Sequence, residues 1–437
     1  MSHGKRLRQK LHQAVFSASL SGFTQGNQID LLQSGEAFFP AIEAAFDQAR
    51  HEIYLETYIY ENDATGRRIA DALNRAALRG VNVYLLIDGY GSKDLPQSML
   101  DYLQAGGVKA LIFRPKISPW TFRRKRLRRM HRKIVVVDRE IAFVGGINII
   151  DDCGTKGDML PRFDYAVAVQ GPLVEAIRLS ARSLWSMVAW SRFRKGAVRG
   201  GTPPVSTFTK GQMSAAFLIR DNFRHRRDIE TAYMRAIEEA KFEIILAHAY
   251  FLPGFDFRHA LTNAAKRGVR VLLLLQGRVE YLLQHYATRA FYGNLLDAGI
   301  EIYEYHTSFL HAKVALIDRH WATVGSSNID PFSLLLSREA NLVVDDENFG
   351  ATLAQSLIQT IVTDGQRILR DNWKQQPIGF RFMGWLSYGL LRLMMGISGY
   401  VSDNSQAKNE RTSIPFQPSL RSGQDVLPTG HRNCPDR

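Results

Sequence analysis

The chain is short of cysteine, of acid and of long apolar runs. Among 437 residues there are two cysteines, Cys153 and Cys434. Two thiols, one of them in a polar tail, leave no disulfide framework for a stapled secreted fold and fit a reducing compartment. No Cys/His cluster has zinc-ligand spacing, and neither a metal nor another cofactor is expected. No uncharged apolar run reaches the eighteen or so residues that a transmembrane helix needs. The basic N-terminus, MSHGKRLRQKLHQAVFSASLSGF, lacks a clean apolar core and does not read as a signal peptide. Acids number 42 against 56 Lys and Arg, a net charge of +14. That field attracts polyanions: nucleic acid, an anionic membrane surface or phosphorylated substrates.

What is there is written twice. HRKIVVVDREIAFVGGIN runs from His131 to Asn148 and HAKVALIDRHWATVGSSN from His311 to Asn328. Both read His-x-Lys, four residues, Asp, six residues, Gly-[Gly/Ser]-x-Asn. Their surroundings repeat as well. QARHEIYLETYIY parallels EAKFEIILAHAYF, and LNRAALRGVNVYLLIDG parallels LTNAAKRGVRVLLLLQG. LQAGGVKALIF parallels LLDAGIEIYEY, and DYAVAVQG parallels EANLVVDD. Each half reads helix, strand, helix ending at Arg-Gly, strand, helix ending at Ala-Gly, strand, then the motif strand. Short apolar runs alternating with helical patterns predict an α/β fold, a mixed sheet covered by helices in each half. Gly80 and Gly268 suit helix C-caps, where the left-handed conformation is needed.

Alternate side chains of a strand share a face, so His131 points with Lys133 and His311 with Lys313. By the same parity Asp138 and Asp318 point the other way and read as supporting residues. The glycines that follow let backbone approach a ligand closely, with Asn148, Asn328 and Ser326 as candidate substrate contacts. Asp164 and Glu339 stand at corresponding places at the start of the strand after each motif, where a carboxylate can orient a histidine. A pseudo-two-fold axis that brings the motifs together makes one site between the halves, holding two imidazoles and two ammoniums. Such a site suits a phosphodiester: one histidine attacks phosphorus, the other protonates the leaving alcohol, and the lysines stabilise the phosphoryl charge.

These paired motifs resemble those of the phospholipase D superfamily, over about residues 26 to 365. LETYIYENDATG, LIDGYGS, RRMHRKIVVVD, AYFLPG and WATVGSSNIDPFSL further resemble the bacterial cardiolipin synthases of the B type. The resemblance implies a duplicated phospholipase D-like fold, two mixed sheets flanked by helices. It implies phosphatidyl transfer from one phosphatidylglycerol to another through a phosphatidyl-histidine, giving cardiolipin and glycerol. Matched residue by residue, the active-site set is His131, Lys133, Asp138, His311, Lys313 and Asp318. His131 is taken as nucleophile and His311 as acid/base, although the symmetry of the motifs leaves the converse open. Phosphodiesterases and nucleases share these motifs and remain the alternative, and a non-enzymatic scaffold would need neither histidine.

The expected organisation is a basic segment (1–25), repeat 1 (26–193), a Gly/Pro/Ser-rich linker (194–212), repeat 2 (213–368), an amphipathic membrane-surface segment (369–402) and a disordered tail (403–437). The halves differ at KISPWTFRRKRLRRM, Lys116 to Met130, with seven basic residues and no acid, which reads as a phosphate or anionic-lipid contact. Longer cardiolipin synthases begin with membrane-spanning helices, and none is expected here. IGFRFMGWLSYGLLRLMMGISGYV, from Ile378, instead reads as a helix lying in the interface with Arg381, Tyr388 and Arg392 on one edge; core packing is the competing reading. The expected partners are anionic phospholipid and a membrane surface rather than nucleic acid, with the protein peripheral on the cytoplasmic face of a bacterial inner membrane.

Overall fold

A computed structural model describes residues 22–115, 128–151, 160–191, 209–221, 225–330 and 337–397. The first half contains β1 (Thr24–Gln33), α1 (Ser34–Gln48), β2 (Glu52–Thr57), α2 (Ala64–Leu78), β3 (Asn82–Asp88), α3 (Gln97–Ala105) and β4 (Lys109–Phe113). It continues with β5 (Arg129–Met130), β6 (Lys133–Val137), β7 (Ile141–Gly145), β8 (Tyr165–Gln170) and α4 (Leu173–Ser191). The second half contains β9 (Met213–Arg220), α5 (Asp228–Glu239), β10 (Glu243–His248), α6 (Phe255–Lys266), β11 (Arg270–Gln276), α7 (Leu282–Arg289), α8 (Tyr292–Asp297) and β12 (Glu301–Tyr305). Then come β13 (Lys313–Ile317), β14 (Trp321–Gly325), β15 (Ser337–Asp345), α9 (Glu347–Asp364), β16 (Gly365–Ile368), α10 (Arg370–Lys374) and α11 (Ile378–Ile397).

The strand order is β16-β12-β11-β10-β13-β14-β15-β9-β1-β8-β7-β6-β2-β3-β4. Read inward from either end, once β16 is set aside, the two halves follow the same order. The two expected sheets therefore meet edge to edge through antiparallel β1 and β9, with a register shift between Thr24 and Asn27. β1 is not evident in the sequence, because TQGNQIDLLQ breaks its few apolar positions with Gln, Asn, Asp and Gly.

The central strands are apolar throughout because both faces are covered. In β6, Ile134 and Val136 face the core shared with α4 and α9, while Val135 and Val137 face the core under α1, α2 and α3. The first of these cores spans both halves, taking Tyr54 and Val167 from one and Leu274 and Leu342 from the other. Gly80 and Gly268 end α2 and α6 at φ +90° and +91°, as their C-cap role requires. Most of the expected linker and residues 116–127 of the basic run lie outside the described residues. So do residues 1–21 and the tail.

α11 packs one face on the second half, as the core-packing reading expected, and leaves the other exposed. Gly384, Ser387, Tyr388 and Leu391 recur at helical spacing and turn inward. Tyr388 stands edge-on to Phe291 at 4.7 Å, and a Cβ on Gly384 would lie 3.1 Å from the Tyr286 carbonyl of α7. Tyr388 thus belongs to the packed face and not to a polar edge. The other face leaves Phe382, Met383, Trp385, Leu386, Leu390 and Leu393 exposed. No helix among the described residues is long and apolar enough to cross a membrane.

Candidate active site

His131 and His311 each sit just before the motif strand of their own half, and each is held by the other half. His131 donates its backbone N–H to the Arg338 carbonyl at 2.9 Å, and His311 donates to the Phe163 carbonyl at 2.8 Å. β5 pairs in parallel with the start of β15. The approach to each histidine is clamped alike. Met130 N–H donates to Asp88 Oδ2 at 2.8 Å and Leu310 N–H to Gln276 Oε1 at 2.9 Å. Asp88 and Gln276 occupy the same position in the repeated LLIDG and LLLQG; that repetition is the signal that could have marked them.

The carboxylates are exchanged between halves. His131 Nδ1 lies 3.0 Å from Glu339 Oε2, and His311 Nδ1 lies 2.6 Å from Asp164 Oδ2. An Nδ1–H donated to a carboxylate leaves the Nε2 lone pair toward the site. The buried Ser326 donates its hydroxyl to Glu339 Oε2 at 2.6 Å and so braces the carboxylate that holds His131. Gly146 takes that place in the first half, where a Cβ would lie 2.4 Å from Asp164 Oδ1.

The lysines complete the cluster. Lys133 Nζ donates to the His131 carbonyl at 2.7 Å. Lys313 Nζ donates to the His311 carbonyl, lies 2.8 Å from His311 Nδ1 and 3.8 Å from Asp164 Oδ2. Burial lowers Lys133 to about 7 and Lys313 to about 8, and raises Asp164 to about 6. Burial also lowers both histidines, His311 well below its ordinary value, which keeps their imidazoles neutral. The rings are nevertheless 15% and 11% exposed, enough for a substrate to reach them. The arrangement offers two neutral imidazoles and two buried amines to an anion.

The two motif aspartates bond to backbone. Asp138, at φ +51°, accepts the N–H groups of Arg50, His51 and Glu52 at 2.5, 2.7 and 2.7 Å. Asp318, at φ +49°, accepts those of Lys241, Phe242 and Glu243 at 2.8, 2.8 and 3.0 Å. Both stand at the far end of the motif strand from the histidines and pin the start of β2 and β10. Asn148 Oδ1 accepts Ile59 N–H at 3.1 Å, whereas the buried Asn328 Oδ1 has no partner among the described residues.

The halves are not identical. Tyr58 stands edge-on to His131 at 4.8 Å, with Lys133 Nζ 5.3 Å from its ring centre. Ala249 replaces it beside His311. Arg132, between His131 and Lys133, makes two 2.7 Å bonds to Glu56 and one of 2.8 Å to Ser180. Its counterparts are Ala312 and Ala247. Both charges change to alanine together, a signal that could have revealed the pair.

Comparison with known proteins agrees with this geometry. The family described as "Cardiolipin synthase, PLD-like domain" matches residues 42–157 and 233–361. Cardiolipin synthase B of Escherichia coli K12 is 40% identical over 409 residues, 93% of this chain and 97% of that one. Cardiolipin synthase B of Salmonella typhimurium is 41% identical over 351 residues, 79% of this chain and 83% of that one. Phosphatidylserine synthase of Haemophilus influenzae superposes with a TM-score of 0.64 at 13% identity, covering 89% of this chain and 99% of that one, a likeness of fold.

Proposed function

The chain belongs to the cardiolipin synthase family of paired phospholipase D-like domains, and on that premise we propose that it joins two phosphatidylglycerol molecules through a phosphatidyl-histidine. His131 Nε2 attacks phosphorus, and the P–N bond forms as the P–O bond to glycerol breaks. His311, protonated at Nε2 when the complex forms, gives that proton to the departing glycerol oxygen. A hydroxyl of the second phosphatidylglycerol then attacks phosphorus. His311 takes its proton, the P–N bond breaks, and cardiolipin leaves with no net change in protons. Lys133 and Lys313 bind the phosphoryl oxygens and stabilise the charge that develops on them.

One observation carries the reading: each histidine is held at Nδ1 by a buried carboxylate of the other half. A nucleophile and an acid/base both need that fixed tautomer. The roles are tested by incubating each histidine variant with radiolabelled phosphatidylglycerol and isolating protein-bound label. His311→Ala should trap label on His131, and His131→Ala should trap none. Label on His311 in the His131 variant would reverse the roles. Wild-type protein that yields only phosphatidic acid would be a hydrolase.

We further propose peripheral attachment to the cytoplasmic face of a bacterial inner membrane. The exposed apolar face of α11, the apolar residues at the start of α7 and the net positive charge support it.

A further inference from the structure

Around Lys313 the second half buries polar side chains where the first half packs apolar ones. Tyr233, Thr323, Ser327 and Asn341 stand at the places of Ile42, Phe143, Ile147 and Ala166, and all of them are buried. The first-half residues belong to the core under α1, α2 and α3. Asn341 accepts Ser327 N–H at 3.3 Å and donates to Thr323 Oγ1 at 3.2 Å, while Ser327 Oγ has no partner among the described residues. A fifth position carries His248 for Thr57. The Thr57 hydroxyl is spent on the Ile59 carbonyl at 2.8 Å. His248 is fully buried, and neither of its ring nitrogens has a partner among the described residues.

This layer surrounds the lysine. Register sets His248 directly opposite Lys313 on the neighbouring strand, so the two side chains share the face toward α5 and α6. Asn341 lies over its own partner Gly325, where a Cβ would stand 2.3 Å from its side chain. Tyr233 of α5 covers the layer, its ring centre 6.1 Å from that of His248. A buried polar group without a partner costs stability, and the first half fills the same places with apolar residues in the same fold. Folding alone therefore gives no reason for His248. The lysines supply one. Lys133 Nζ lies 5.3 Å from the ring centre of Tyr58, but Ala249 stands at the place of Tyr58, and the ring of the second half comes one position earlier, at His248. Burial and the charge of Lys313 lower His248 to about 3 and keep it neutral, with a lone pair to offer.

We infer that His248 is a positioning residue for Lys313: its imidazole accepts from the buried ammonium, keeping it charged and aimed at the phosphoryl oxygens. The inference rests on the phosphatidyl-transfer reading above and adds to it a residue that acts through the lysine and touches no substrate. The two halves then support their lysines by different means, a tyrosine ring for Lys133 and an imidazole lone pair for Lys313. Other charges face Lys313 as well: Asp164, Lys133 and Arg162 from the first half, and His311, Glu339 and Glu280 from the second. All of these stay unchanged in the test.

The test follows glycerol release from phosphatidylglycerol vesicles across the alkaline range, using the full chain and its His248→Leu, His248→Thr, His248→Asn and His248→Gln variants. Glycerol leaves in the first step, whichever acceptor follows. Both lysines must be charged, so the alkaline limb of kcat/KM contains two ionisations. His248→Leu should move that of Lys313, at about 8, down by about one pH unit, so that kcat/KM above it falls about tenfold. His248→Thr, the residue of the first half, should do the same. Neither should unfold at a lower urea concentration than wild type, because no unpaired imidazole is left behind. Asn and Gln return an acceptor at the level of Nδ1 and of Nε2, and one of them should restore the limb. A limb that stays in place in the Leu and Thr variants overturns the inference, and so does a limb that neither amide restores. Lost stability with an unchanged rate in the folded fraction also overturns it, since His248 would then only fill the core. Phosphatidic acid in place of cardiolipin from wild type would overturn the transfer reading while the limb is still read from glycerol. Wild-type protein that releases no glycerol overturns both.

Discussion

His311 of the second half takes its carboxylate from Asp164 of the first, 2.6 Å from its Nδ1. Glu339 does the same for His131 in the opposite direction. Neither half carries a complete histidine site, so one catalytic centre requires both copies of the repeat.

Changing either carboxylate should therefore disable the histidine of the other half. Asp164→Asn and Glu339→Gln keep the shape but lose the charge that sets the tautomer. Each should lower kcat by about 10²- to 10⁴-fold, the span of general acid–base assistance. Asp164→Asn should also raise the protein-bound label, because turnover of the intermediate needs His311. A Glu339→Gln variant that accumulated label instead would contradict the assignment.

The pH profile of kcat/KM should be bell-shaped and narrow. Asp164, raised to about 6 by burial, must be ionised to hold His311, so activity should fall as pH drops through that value. Lys133 and Lys313, lowered to about 7 and 8, must be protonated to hold phosphate, so activity should fall as pH rises past them. Asp164→Asn, which cannot titrate, should lose the acid limb and keep the alkaline one. A flat profile from pH 5 to 9 would contradict both expectations.

Asp138 should matter to stability more than to chemistry. Asp138→Ala strands the N–H groups of residues 50–52 and should cost about 1–3 kcal/mol in urea unfolding. The fraction that stays folded should keep kcat within about threefold, well short of the loss expected of an acid–base group. A loss of kcat as large as that of His311→Ala, without a change in stability, would return Asp138 to the catalytic set.

The Arg132–Glu56 pair should show strong coupling. Arg132→Ala leaves a buried carboxylate uncompensated and should cost about 3–5 kcal/mol. The double change to alanine reproduces the Ala312 and Ala247 arrangement of the second half, and should cost no more than the worse single change. Costs that simply add in a double-mutant cycle would show that the charges do not act as a pair.

Leu386→Glu and Leu390→Glu place charge on the exposed face of α11 and leave its inward face untouched. Sedimentation with anionic vesicles should show binding weakened at least tenfold, since each change forfeits about 1.5–3 kcal/mol of apolar burial. Melting temperature should hold within about 2 °C. Unchanged sedimentation would place the membrane contact elsewhere.

Much was legible in the sequence because duplication writes its own alignment. The helices and strands from α1 to β4, and from α5 to β12, followed from periodicity and from glycines at helix ends, except that the one helix expected between β11 and β12 is two, α7 and α8. The histidines, the lysines and both orienting carboxylates followed from the repeated motif. The reducible loss was in pairs such as Asp88 with Gln276, which the repeat marks but which look like ordinary loop residues. The rest was decided in three dimensions. That β1 and β9 join the halves into one sheet depends on edge pairing, which a polar strand does not announce. That Glu339 serves His131 and Asp164 serves His311 depends on the approximate two-fold relation between halves, and sequence distance carries no record of it. Glu280 and Tyr250 lie 30 positions apart without a motif between them. Only the tertiary structure sets that carboxylate against that tyrosine hydroxyl, because proximity across a fold follows from the burial of whole faces and not from local preference.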